Sequence, residues 1–307
     1  MPGWLEIQDE CRLAGSGFDG VRRKYLRELQ ALTKRNVIIY YSGWLQKPEL
    51  SAQSRSGFAL NDSDKNGFMA AVHKLDRSLG LDLVLHTPGG EFGATESLVF
   101  YLRSMFGTDI RAIVPQIAMS AGTMIALACK EVIMGKHSNL GPIDPQLGGS
   151  AAHGLVEEAQ EAIKAVKTLP HTAPLYQMVF SKYPPTLLGE AQKAIKWSND
   201  TVTQWLETGM FAGDPNANTK AKRVVDQLGD HALTLSHGRH ISHEQATDAG
   251  VVIRSLEGDQ ALQEAVLSLH HACIQTLNGT PAIKIIENHN GVAFITQSAA
   301  LITLARA

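Results

Sequence analysis

Ala118-Met119-Ser120-Ala121-Gly122-Thr123-Met124 is the stretch on which our interpretation of this chain depends. Ser120 follows a short apolar run at 110–117 and precedes an apolar, helix-compatible segment at 124–129. This order predicts a tight turn from a strand into a helix, with the serine at its tip. Small neighbours allow backbone N–H groups to approach a reacting carbonyl. A serine in this position can equally cap a helix, so the rest of the chain has to decide between the two roles.

A second turn, Thr87-Pro88-Gly89-Gly90, ends another apolar run in the same way. The surrounding pattern alternates predicted strands (37–41, 81–86, 110–117 and 131–134) with predicted helices (17–35, 62–79 and 91–106). Short links between them favour a mainly parallel sheet with crossover helices. Ligands bind at the carboxyl ends of the strands in such sheets. We therefore expect the Gly-Gly turn and Ser120 to meet at one edge of the sheet.

The composition is that of an ordinary globular protein, with 307 residues, 44% hydrophobic, 19% charged and a net charge of -2. Without a basic block, nucleic acid is not expected as a partner. The cysteines Cys11, Cys129 and Cys273 are odd in number and far apart, which favours reduced thiols and a cytoplasmic location. The charged N-terminus lacks the apolar core of a signal peptide. Polar residues and a proline interrupt the apolar segment 112–129, so we expect no membrane span.

Three motifs in fixed order carry a resemblance to a known family. They are Thr87-Pro88-Gly89-Gly90, then Met119-Ser120-Ala121-Gly122 about thirty residues later, then Leu140-Gly141-Pro142-Ile143-Asp144-Pro145-Gln146. Together they resemble the Clp/crotonase superfamily of serine peptidases, and within it the SppA-like group and the serine dehydrogenase proteinase family. A later run, His237-Gly238-Arg239-His240-Ile241-Ser242, and the turn at Gly250 are similar to that family's tail.

The resemblance implies an α/β, Clp/crotonase-like fold of repeated β-β-α units, with a mainly parallel sheet and a helical C-terminal extension. We expect an N-terminal helical arm at 1–35, a peptidase domain at 36–258 with a helical insertion at about 150–235, and a C-terminal helix with short strands at 259–307. The resemblance also implies a homo-oligomer that cleaves peptides or unfolded proteins. No phosphate-binding G-x-x-x-x-G-K-[ST] motif is present, so unfolding of large substrates would need a separate ATPase or regulatory partner.

A serine nucleophile needs a base, and the family resemblance offers two patterns. Clp subunits use a histidine about twenty-five residues after the serine, but Pro145 stands there. SppA-like peptidases use a lysine forty to fifty residues downstream. Lys164 lies 44 positions after Ser120, and Lys167 lies 47 after it. The prediction is a Ser120–Lys164 dyad, with Lys167 as the alternative base; both lysines can equally be solvated residues of an amphipathic helix.

The two turns predict an oxyanion hole formed by the backbone of Gly89 or Gly90 together with Ala121. His86, Asp144 and His240 are further candidates for lining the site. Asp144 can position the lysine or cap the turn before Pro145. The spacing of His237, His240 and His243 does not keep them on one helix face, so we predict no metal and no cofactor.

Two other functions share this fold. A crotonase-like enzyme acting on acyl-CoA would use the same oxyanion geometry with an acidic base and an adenine pocket. A scaffold without activity would keep the fold and assemble with partners. The intact serine turn favours a serine endopeptidase over both.

Overall fold

The computed structural model describes residues 3–15, 17–230 and 234–298. Its helices are α1 Trp4–Leu13, α2 Phe18–Thr33, α3 Pro48–Gln53, α4 Arg55–Phe58, α5 Asp64–Val72, α6 Phe92–Phe106, α7 Ala121–Leu127, α8 Ala152–Thr168, α9 Ala173–Phe180, α10 Leu187–Thr208, α11 Ala217–Gly229, α12 His243–Ala249 and α13 Gln260–Gly279. Its strands are β1 Asn36–Ser42, β2 Leu81–His86, β3 Ile110–Val114, β4 Ile117–Ala118, β5 Glu131–Met134, β6 Asn139–Leu140, β7 Gln146–Leu147, β8 Ser150–Ala151, β9 Ile241–Ser242, β10 Ile253–Ser255, β11 Ala282–Asn288 and β12 Ala293–Gln297.

A mostly parallel seven-stranded sheet forms the centre, in the order β10-β5-β3-β2-β1-β11-β12. The first five strands run parallel, and β11 and β12 join antiparallel at one side. The predicted mainly parallel α/β fold is confirmed. β1 and β2 are buried along their whole length because helices cover both faces of the sheet.

Alternate side chains of β1 divide between two hydrophobic layers. Ile38 and Tyr40 face a layer that includes buried residues of α5, α6, α7, α10 and α11. Val37, Ile39 and Tyr41 face the opposite layer, which is formed with α1, α2 and α13. The N-terminal helices and the C-terminal helix therefore complete one side of the central core. A smaller cluster holds α8 against α10.

A second, three-stranded sheet has the order β4-β6-β9 and lies where the chain leaves the central sheet. β4 pairs parallel with β6, and β6 pairs antiparallel with β9. The register matches Ala118 with Leu140 and Leu140 with Ile241. The chain beyond Ala118, the chain beyond Leu140 and the chain before Ile241 therefore emerge at one end of this small sheet.

Several predicted elements differ in their bounds. The helix predicted at 62–79 is wrong beyond Val72, because His73 has extended ψ and Lys74 has a positive φ of 62°. The strand predicted at 110–117 divides into β3 and β4 around Pro115, which has no N–H to donate. Two short helices, α3 and α4, lie between β1 and α5.

Candidate active site

Ser120 stands at the turn between β4 and α7 in a strained backbone conformation. Its φ is 50° and its ψ is −115°, a combination that costs a non-glycine residue about 1–3 kcal/mol. Its side chain makes no capping hydrogen bond to the helix, so the capping role is not observed. The helix behind it is wholly buried. A strained, half-buried serine on a rigid helix is the arrangement expected for a nucleophile.

The two turns predicted to meet are in direct contact. A bridge joins Thr87 to Ala118, and Met119 N donates to Thr87 O at 3.0 Å. Gly89 has a φ of +98°, and a Cβ on it would lie 2.7 Å from Ser120 Cβ and 2.8 Å from Met119 O. Only glycine permits this approach.

The backbone N–H groups around Ser120 differ in their availability. Gly89 N donates to Thr87 Oγ1 at 3.1 Å, so this group is already engaged. Among the described residues, no hydrogen bond engages the N–H of Gly90 or of Ala121. Gly90 is exposed, and Ala121 is the first residue of α7. These two N–H groups therefore lack a partner among the described residues, whereas the N–H of Gly89 has one.

Leu60 holds the Gly-Gly turn from its other side, a contact that the sequence analysis missed. Leu60 N donates to Gly89 O at 2.8 Å, and Glu91 N donates to Leu60 O at 2.9 Å. A Cβ on Gly90 would lie 2.1 Å from Leu60 O. The close approach of this segment explains why glycine is required at Gly90 as well. No periodicity in the sequence marks residue 60 as a partner of this turn.

A buried carboxylate and a histidine meet beyond the end of the small sheet. His237 Nδ1 lies 2.7 Å from Asp144 Oδ1, and Asp144 Oδ2 accepts a hydrogen bond from Gln146 Nε2 at 2.7 Å. The Asp144 side chain is fully buried, whereas that of His237 is 26% exposed. By the register of β4, β6 and β9, this pair lies beyond the same end of the sheet as Ser120. The sequence analysis considered the two residues separately.

Lys164 and Lys167 lie on α8, and both are exposed. A lysine base needs desolvation to lower its pKa, and this single chain does not bury either side chain. The lysine base stays a prediction, and it requires a second molecule that covers α8.

His86 and His240 have contrasting surroundings. His86 is fully buried, its two ring nitrogens contact Ser42 O at 3.1 Å and Gln116 Oε1 at 3.0 Å, and its ring stacks on Tyr41. Burial lowers the pKa of His86 to about 4. His240 is exposed just before β9. Contact of either residue with a substrate stays a prediction.

Two further observations concern the parts of the chain that the structure describes. Within these parts, no group of three His, Cys, Asp or Glu residues is arranged to hold a metal ion. The same parts contain no helix that is both long enough and apolar enough to cross a bilayer.

Comparison with known proteins agrees with this geometry. The family model of the ClpP-like SDH-type serine proteinases matches residues 20–256. An uncharacterized protein of Methanocaldococcus jannaschii is 29% identical over 187 residues, which cover 60% of this chain and 58% of that protein. Another from the same organism is 30% identical over 169 residues, covering 48% of this chain and 58% of that protein. The chain thus spans less than two thirds of the length of these relatives.

Proposed function

Since this chain belongs to the ClpP-like SDH-type serine proteinase family, we propose that it hydrolyses peptide bonds through an acyl-enzyme on Ser120. One observation carries the proposal. Ser120 is held in a strained turn against Gly89, and no described residue engages the N–H groups of the neighbouring Gly90 and Ala121. A nucleophile beside two free donors is the arrangement that acyl transfer needs.

The proposed reaction has two stages. In the first, Ser120 Oγ gives its proton to a base and attacks the peptide carbonyl, and the oxyanion is stabilised by the N–H groups of Gly90 and Ala121. The protonated base then gives its proton to the leaving amine as the C–N bond breaks. In the second stage, water attacks the acyl-enzyme with the same base as proton acceptor, which regenerates Ser120 and releases the acid.

Two groups are candidates for the base in this proposal. Lys164, with Lys167 as its alternative, follows the SppA-like pattern and would act after burial by a neighbouring subunit. His237 is supported by its contact with Asp144, because a carboxylate fixes the tautomer and orientation of an imidazole and stabilises its protonated form. The second candidate does not depend on burial of α8.

Replacement of the nucleophile tests the function. We expect Ser120→Ala to abolish both cleavage of fluorescently labelled casein and labelling by a fluorophosphonate probe, since the reacting oxygen is removed. Ser78→Ala is a matched control, because Ser78 is exposed and its hydroxyl contacts only Asp76 within the described structure. Cleavage by the Ser120→Ala protein at the parent rate would exclude the proposal.

Substitution of each candidate separates the two bases. If His237 is the base, His237→Gln lowers kcat/KM by at least about 100-fold. If Lys164 is the base, Lys164→Met has that effect instead and His237→Gln does not. His73→Gln, which alters an exposed histidine after α5, serves as the control for a neutral substitution.

A further inference from the structure

A buried ion pair connects the C-terminal part of the chain with α5. Lys284 Nζ on β11 lies 2.6 Å from Asp64 Oδ1, and the two side chains are 3% and 1% exposed. Transfer of both charges out of water is costly, and such a pair is seldom a net source of stability. Lys284 also lies outside the 20–256 segment matched by the family model. The burial of Lys284 beside Asp64 is therefore better explained by a role other than stability.

The ion pair holds both sides of Leu60. Lys284 Nζ donates to Ala59 O at 3.1 Å, on the N-terminal side of that residue. Asp64 Oδ2 accepts from Asn61 N at 3.1 Å, on its C-terminal side. The segment 59–61 is thus tied to two charges that are themselves fixed in the core.

Leu60 contacts the Gly89-Gly90 turn, which lies beside Ser120. Its N–H donates to Gly89 O, and its carbonyl accepts from Glu91 N. Leu60 therefore bonds the backbone on both sides of Gly90. The distances are 2.8 Å and 2.9 Å. A displacement of segment 59–61 would therefore be transmitted directly to the Gly90 N–H.

A second set of contacts connects Asp64 with the Gly89-Gly90 turn. Tyr40 OH donates to Asp64 Oδ2 at 3.1 Å, and the Thr87 hydroxyl interacts with the Tyr40 hydroxyl. Thr87 Oγ1 accepts from Gly89 N at 3.1 Å. The Lys284–Asp64 pair is therefore connected to the Gly89-Gly90 turn by two routes, one through Leu60 and one through Tyr40.

We propose that Lys284 and Asp64, assisted by Tyr40, position the Gly90 N–H as an oxyanion donor for Ser120. This inference rests on the proposed function. Lys284 and Asp64 are positioning residues, because they act on the reaction through segment 59–61 and Gly90. The oxyanion forms only in the transition state, so a misplaced donor lowers kcat and leaves KM little changed.

Lys284→Met is the principal variant. Loss of an oxyanion-hole donor typically costs about 100–1000-fold in rate, and we expect displacement of this donor to cost at least about 10-fold in kcat. The measurements are kcat and KM on labelled casein and the rate constant for fluorophosphonate reaction with Ser120. Both rates are expressed per folded molecule, and thermal melting reports stability separately.

Glu287→Gln provides the matched control. Glu287 lies on the same strand, is fully buried, and pairs with Arg22 at 2.6 Å and Arg23 at 2.5 Å. It has no described contact with segment 59–61. We expect both substitutions to lower the melting temperature, because each removes a buried partner of a buried charge, but only Lys284→Met to lower kcat.

The double variant Asp64→Leu/Lys284→Met keeps the test decisive if the single variant fails to fold. It leaves no unpaired charge in the core and removes both contacts with segment 59–61, so we expect a folded protein with the same loss of kcat. A parent-like kcat in this variant would overturn the inference. So would an equal loss of kcat in Glu287→Gln. Ser120→Ala distinguishes failure of this inference from failure of the proposed function, because activity that remains in that variant overturns the proposed function itself.

Discussion

At the scale of single residues, the contact between Gly89 and Ser120 determines the geometry of the candidate site. The two residues lie on different turns, and each has a backbone conformation that most side chains avoid. A side chain at Gly89 would occupy the space of Ser120 Cβ and Met119 O. The strain at Ser120 is maintained because buried α7 and the Thr87–Ala118 bridge hold both turns in place.

Gly89→Ala should therefore abolish activity and destabilise the protein. The new Cβ meets backbone atoms that have no free space to move into, in addition to the cost of positive φ. Gly107→Ala is the matched control, because Gly107 has a φ of +62° with nothing within 4 Å of the new Cβ. We expect the control to lose about 1–3 kcal/mol in the free energy of unfolding measured with urea, since alanine rarely adopts this backbone conformation, and to keep its activity. Equal activity in the two variants would contradict this assignment.

At the scale of elements, one threonine connects α7, the helix that follows Ser120, to the small sheet. Thr123 Oγ1 donates to Ala118 O at 2.8 Å and accepts from Gly141 N at 2.9 Å. A Cβ on Gly141 would lie 2.8 Å from Met119 Sδ, so β6 passes close beside the serine turn. This link sets α7 relative to the loop that carries Asp144.

Thr123→Val tests that link with little change of volume. The buried Gly141 N–H and Ala118 carbonyl lose their shared partner, and we expect a loss of about 1–3 kcal/mol in the free energy of unfolding. In the control Thr95→Val, the lost hydroxyl bonds, among the described residues, only to the carbonyl of Glu91, the N-cap of the same helix. A smaller loss is expected there by urea denaturation. Equal losses would show that Thr123 contributes nothing as a bridge between elements.

At the scale of the whole molecule, buried histidines tie stability to pH. His86, His270 and His271 form a chain of ring contacts at the side of the sheet covered by α13. Burial lowers the pKa of all three. A histidine whose folded pKa lies below its unfolded value stabilises the neutral-pH form, because the unfolded chain takes up the proton first.

The free energy of unfolding should therefore decrease as the pH falls from 6.5 towards 4. For His86 alone, a pKa of about 4 against 6.5 corresponds to about 3 kcal/mol, present in full above pH 6.5. Urea unfolding at pH 7.5, 6, 5 and 4.5 measures this dependence. His86→Asn should reduce its slope and His73→Gln should not. A slope unchanged by His86→Asn would contradict the assignment.

The surface of α8 and of the segment after it carries exposed apolar side chains. Ile163, Leu169, Leu175 and Met178 are all more than half exposed, and α9 has no buried residue. Several large apolar side chains exposed within a short segment are typical of an interface. We propose a second copy of this chain as the partner. This copy would also cover Lys164 on α8.

This proposal predicts a homo-oligomer by light scattering. Leu175→Glu combined with Met178→Glu should shift the measured mass towards the monomer, because a buried unpaired carboxylate is unfavourable at an interface. Leu5→Glu, at an exposed position of α1, should leave the mass unchanged. A parent protein that is monomeric at micromolar concentration would contradict the proposal and would remove the cover that a lysine base requires.

The sequence alone determined the mainly parallel α/β fold, the strand that ends at His86, and the candidate nucleophile. These features follow from local apolar runs and from small residues at turns, which a single chain displays in order. Only the tertiary structure decided that Gly89 N is engaged while Gly90 N has no partner among the described residues, that Asp144 meets His237, and that Lys284 and Asp64 hold Leu60. These pairs are 93 and 220 residues apart in the chain. Their proximity depends on the register of β6 with β9 and on the insertion of β11 beside β1, which long-range packing sets and no local pattern encodes.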